Sequence, residues 1–220
     1  MRKLNYFSSI ALVIVMPLAI LIIVSTLTLR LPAVYQFHFN DSQVLNEIPY
    51  NISGDQMSSE IAGYFSSFSS DNFQVYEDNG IYQDPVFDLL DVEAMGKARI
   101  VGNIGMGIGF ACLLLVVGIY IILIKNGYKL ALRSRYKIVL PISLALLILQ
   151  VILVSKGSIR TWLYSNLIGV KLAKDSILNI VLGGAFFHTY ILFSILIGVV
   201  VIGLISYITF RLTKPPRIFY

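Results

Sequence analysis

Residues Ile100–Ile124 read IVGNIGMGIGFACLLLVVGIYIILI, an apolar run without a single charged side chain. A helix of about 20 such residues crosses the roughly 30 Å hydrocarbon core of a bilayer. Working outward, three more stretches have the same character: Phe7–Leu29 (FSSIALVIVMPLAILIIVSTLTL), about Ile138 to Ser155, and a last one that ends near Phe210 and begins between Ile177 and Tyr190. The composition agrees, with 57% hydrophobic and only 13% charged residues and a mean hydropathy of +0.80. Soluble domains carry about 25% charged residues. A soluble enzyme and a disordered tail are both excluded, and the expected fold is an α-helical polytopic membrane protein with four transmembrane helices.

The first run follows Arg2 and Lys3, as a signal peptide would. Its apolar core is too long for one, and it ends in TLRLPA without a small-x-small cleavage site. It reads as an uncleaved anchor, with Pro17 a place for a kink. The organisation expected is helix 1 over 1–30, a cap over 31–97, helix 2 over 98–125, a basic loop over 126–137, helix 3 over 138–155, a connection over 156–189, helix 4 over 190–211 and a tail over 212–220.

Charge sets the expected orientation, because Lys and Arg accumulate in cytoplasmic loops. Residues 31–96 hold no Lys or Arg and eleven of the twelve acidic residues. The connection after span two, KNGYKLALRSRYK, holds five basic residues and no acid, and Arg211, Lys214 and Arg217 follow the last span. Both termini are therefore expected in the cytoplasm, and the acidic cap outside the plasma membrane of a bacterium. The net charge of +5 belongs to this topology and does not imply nucleic acid. The lone Cys112 lies inside span two and has no partner for a disulfide or a metal site.

The cap has structural signals of its own and is expected to be a small α+β domain. Ser53 with Gln56 three residues later is a capping-box pattern. Met57, Ile61, Tyr64, Phe65 and Phe68 follow at helical spacing, which predicts a helix over about 54–67. Phe73–Tyr76 and Ile81-Tyr82 flank Asn79-Gly80, a hairpin signal. Asp84-Pro85 predicts the cap and first residue of a helix running on into span two. The segment 156–189 carries Arg160, Trp162, Tyr164, Lys171 and Lys174 among apolar residues and predicts an interfacial helix.

Few polar groups bear chemistry. His188, in AFFHTYILF, is expected at the outer end of span four, where an ionisable side chain is a candidate for function. A histidine bonded to a backbone carbonyl or to water is the equal alternative. Asp88 and Asp91 are three apart, hence on one face of a helix; solvation of the cap is their commonest use. Gly105 and Gly109 form a GxxxG, expected to serve close helix packing within the chain. Hydrolase elbow, zinc-protease, nucleotide-loop and EF-hand motifs are absent from the sequence. A transporter is a third class, weakly supported, since no span carries a charge at its centre.

An anchor, an aromatic cap, a short helix entering span two and an aromatic-His motif before span four together resemble the bacterial lipoprotein intramolecular transacylases and the uncharacterised four-span proteins around them. The segment entering span two reads Asp88-Leu89-Leu90-Asp91-Val92, and the second motif reads Phe187-His188, with Phe193 five residues on. The resemblance implies acyl transfer from the sn-2 ester of a diacylglyceryl lipoprotein to its N-terminal cysteine amine, at the outer leaflet. In that family two histidines do this; here aspartate stands at the first position. The roles so implied are His188 as base and acid, Asp88 and Asp91 as orienting groups, and Tyr35, Tyr64, Phe87, Trp162 and Phe187 as an acyl-chain cleft. Neither a cofactor nor a metal is expected. The partner is a lipoprotein or phospholipid in the membrane, and a monomer is favoured. The competing reading is a non-enzymatic membrane protein whose acidic cap binds a partner or senses a signal.

Overall fold

The computed structural model describes residues 2–42, 44–67, 73–78, 83–163, 165–166, 169 and 176–214. It is mostly helical: α1 (Arg2–Thr28), α2 (Pro32–Ser42), α3 (Gly54–Ser66), α4 (Leu89–Lys125), α5 (Lys129–Ser155), α6 (Gly157–Leu163), α7 (Ile177–Val181) and α8 (Gly184–Leu212), with strands β1 (Tyr76–Asp78) and β2 (Gln83–Pro85). Four of the helices, α1, α4, α5 and α8, are long and apolar enough to cross a membrane. The chain is a helical multi-pass membrane protein. It divides into a bundle unit (1–25, 105–150, 195–220) and a mixed unit (26–104, 151–194).

In the bundle unit, Leu12, Met16, Ile20 and Val24 recur every fourth residue along one face of α1, all nearly inaccessible. That face packs on Val116 and Leu123 of α4, on Leu132, Tyr136, Val139 and Leu147 of α5, and on Ile202 of α8. The outward faces are apolar as well: Leu114 is 71% exposed and Val200 59%. In water that surface would be costly; facing lipid it is not, because the tails are as apolar as leucine. Specificity between helices then rests on small residues and hydroxyls. A Cβ on Gly109 would stand 3.0 Å from Ile23 Cγ1, so glycine permits the approach of α1 and α4. The Tyr120 and Thr209 hydroxyls meet at 2.7 Å, as do those of Tyr136 and Ser206.

The turn after α4 is set by Gly127, whose φ of +79° suits glycine. Tyr128 N donates to Leu123 O (2.8 Å) and Gly127 N to Ile124 O (3.1 Å), the paired bonds of a Schellman ending. The basic segment expected as a loop over 126–137 is therefore helical from Lys129 onward. Alternating basic and apolar residues there continue the helix, with Leu132 and Tyr136 on its buried side.

The mixed unit is built on α2 packed against α3, with Val34, Tyr35 and Phe39 of α2 and Met57, Ile61 and Phe65 of α3 in its core. Phe73, Val75, Val86 and Phe87, on either side of the two strands, join that core. Ser53 caps α3, its Oγ accepting from Gln56 N at 3.2 Å, as the capping pattern predicts. The hairpin lies slightly along the chain from the predicted strands: Tyr76 pairs with Pro85 and Asp78 with Gln83. Its expected Asn79-Gly80 turn lies outside the described residues.

Asp84-Pro85 does not start a helix; both residues belong to β2, and α4 begins at Leu89. A proline at the end of a short edge strand needs no ladder N–H. From there α4 runs unbroken through Gly96 to Lys125. Where an interfacial helix is expected, the described residues include two short helices, α6 and α7. Tyr164, Lys171 and Lys174 lie outside the described residues, as does Phe68 of the α3 stripe.

Candidate functional site

The first turn of α4 organises one end of the mixed unit. Asp88 is the residue before the helix: its Oδ1 accepts from Asp91 N at 2.7 Å, and its carbonyl accepts from Val92 N at 3.0 Å. These are the bonds of an N-cap, where aspartate is among the best residues. Asp91, inside the helix, is 1% exposed. Its Oδ1 accepts from Ser176 Oγ (2.7 Å) and its Oδ2 from Leu178 N (3.2 Å). Ser176 also caps α7 by accepting from Asn179 N at 3.2 Å. A carboxylate at the start of a helix meets its free N–H groups and the positive end of its dipole. Asp91 thus fastens α7 to α4.

The other end of α7 is held by a histidine. His38 is buried, and its Nε2 donates to Val181 O at 2.9 Å. Its ring packs edge-on against Phe186 at 5.6 Å. Burial lowers its pKa below 6.5, against smaller upward pulls from the Val181 carbonyl bond and Asp41. Tyr35 stacks on the same Phe186 ring, with centroids 5.3 Å and planes 11° apart, and its hydroxyl donates to Leu29 O at 2.7 Å. The imidazole and the phenol here are structural groups of a closed aromatic core.

Among the described residues, no hydrogen bond joins His188 to Asp88 or Asp91. His188 lies in the first turns of α8, exposed, with no hydrogen-bond, ion-pair or ring partner among the described residues. Asp88 and Asp91 are engaged as cap and fastener. Tyr35 and Phe87 are 0% and 3% exposed and belong to the core. Tyr64 is half-buried under the Arg99 guanidinium, 4.2 Å from its ring centre. Burial raises the Tyr64 phenol above its ordinary pKa, and Arg99 opposes that rise. Trp162 is 61% exposed. Phe187 lies under Arg160 at 4.9 Å, and Arg160 Nη1 donates to Gly184 O at 3.3 Å. Among the described residues, no three His, Cys, Asp or Glu side chains converge as metal ligands do.

An open groove of about 470 Å³ is lined by Gln74, Pro85, Phe87, Asp88, Leu89 and Leu90. Leu89 is 85% exposed and Leu90 54%. Sequence reading missed this groove, because Leu89 and Leu90 look like core residues of a helix entering a span. It also missed α2, although Val34, Tyr35, His38 and Phe39 recur with helical spacing after Pro32. No family model, curated protein or solved structure matches this chain.

Proposed function

We propose that this is a membrane-anchored binding protein, with both termini in the cytoplasm and the acidic mixed unit outside, where it recognises a partner. The observation that carries this reading is the commitment of both carboxylates. Asp88 and Asp91 hold helix ends together, and His188 makes no hydrogen bond to either among the described residues. A proton relay needs its groups within hydrogen-bond reach or one water of each other. The rest of the segment 31–96 is an acidic surface without one Lys or Arg, suited to steering a cationic partner.

Intramolecular acyl transfer on a diacylglyceryl lipoprotein is the second reading. It is favoured by the exposed His188 beside Phe187, whose ring carries the Arg160 cation; such a cation would steady a developing oxyanion. One assay separates the two. The chain is expressed in a host that makes only diacylglyceryl lipoproteins, and a lipoprotein's N-terminal peptide is weighed by mass spectrometry. The binding reading expects the acyl chain to stay on the glyceryl. A shift to the amine that disappears in His188→Ala would replace it with the enzymatic reading. Orientation is tested by impermeant thiol labelling of intact cells, with Glu60→Cys expected to react and Lys137→Cys to be protected.

A further inference from the structure

We propose that the groove formed by Gln74, Pro85, Phe87, Asp88, Leu89 and Leu90 docks an apolar peptide segment bearing a Lys or Arg side chain. The inference rests on the binding reading and names its site and the chemistry of the partner. Leu89 and Leu90 offer large apolar side chains at 85% and 54% exposure, with buried Phe87 beside them. Lipid tails do not account for them. Eleven residues of continuous α4 separate Leu89 from Ile100, where the apolar run begins, about 16 Å at 1.5 Å per residue. Asp91, Glu93, Lys97 and Arg99 lie in that interval. The leucines thus sit in the aqueous part of the chain, where a joined apolar patch marks an interaction surface.

The polar groups of the groove select the occupant. Asp88 is exposed at the groove while its Oδ1 caps the helix. A carboxylate beside two exposed leucines calls for a ligand that brings a cation on an apolar backbone, as a peptide with a Lys or Arg side chain does. A bare hydrocarbon would leave the Asp88 charge without a counterpart. An anionic ligand would meet Asp88 and the acidic surface around it. The volume of about 470 Å³ falls in the range of binding clefts, about 300–1,000 Å³.

The test uses the full chain in phosphatidylcholine nanodiscs and a short fluorescent peptide of alternating Leu and Lys, with empty discs as reference. Saturable binding to the loaded discs is expected, with none of a Leu-Glu counterpart. Asp88→Asn, which keeps the cap but removes the charge, is expected to weaken binding about tenfold, one charged contact's worth. Leu89→Ser with Leu90→Ser, on exposed positions, is expected to weaken it at least as much. Failure of the Leu-Lys peptide to bind the wild type overturns the groove proposal, as does equal binding by both variants. Loss of binding when phosphatidylethanolamine is added to the discs also overturns it, in favour of a lipid amine. None of these outcomes moves the acyl position in the lipoprotein assay, so the groove and the binding reading fail separately.

Discussion

The two units solve the same problem with opposite surfaces. The bundle unit turns leucine, isoleucine and valine outward and holds its helices together with glycine approaches and paired hydroxyls. The mixed unit turns most of its described acids outward, buries Asp91, and closes around Tyr35, Phe73, Phe87 and Phe186. Between helices that face lipid, apolar burial gives little drive to pack, whereas it is the main drive for a core that closes away from water. The few buried polar groups of the mixed unit decide how its helices meet.

Breaking the comparison most sharply is Asp91→Ala. It strands the Ser176 hydroxyl and the Leu178 N–H inside the mixed unit, with an expected loss of about 3 kcal/mol. Hydrogen exchange in the membrane-inserted protein should quicken at α7 and around it, leaving the amides of the bundle helices protected. Equal quickening in both units would show that they do not unfold independently.

Acid comes next, through His38. Burial lowers its folded pKa below the ordinary 6.5, so the unfolded chain takes up the proton first. Stability is then complete above pH 6.5 and is lost as pH falls through the depressed pKa. His38→Gln, which keeps a donor for Val181 O, is expected to flatten this dependence. Limited proteolysis of the mixed unit across that range reads it, and an unchanged profile in the variant would assign the acid sensitivity elsewhere.

In the bundle, Tyr136→Phe removes the hydroxyl that meets Ser206. The expected cost is about 1 kcal/mol, since hydrogen bonds between membrane helices are modest. Detergent-driven unfolding of the bundle measures it, with the mixed unit's proteolysis unchanged. Asp88→Asn should have the smallest effect of all, within about 0.5 kcal/mol, because asparagine caps as well as aspartate. A thermal melt distinguishes this from a structural charge at Asp88, whose removal would cost more.

Much of both units was legible along the chain. Four apolar runs, the Ser53–Gln56 cap and the Met57–Ile61–Phe65 stripe are local patterns with a period, and the structure keeps them. The start expected at Asp84-Pro85 was overridden by a partner nine residues back: Pro85 pairs with Tyr76 in the hairpin, and the helix is capped by Asp88 instead. The aromatic residues were legible as a group, but whether each faced a cleft or a core was not. That depends on what packs over them, and for Tyr35 it is Phe186, far along the chain.

The sequence by itself determined the four spans, the charge segregation and the amphipathic helix α3, because hydropathy and period are properties of neighbouring residues. Only the tertiary structure decided that Asp91 holds Ser176 and Leu178 and that His38 closes on Val181. Those partners lie 85 to 143 residues apart. Their choice depends on which buried donors and acceptors remain unsatisfied once the helices have packed, a condition that no local pattern contains.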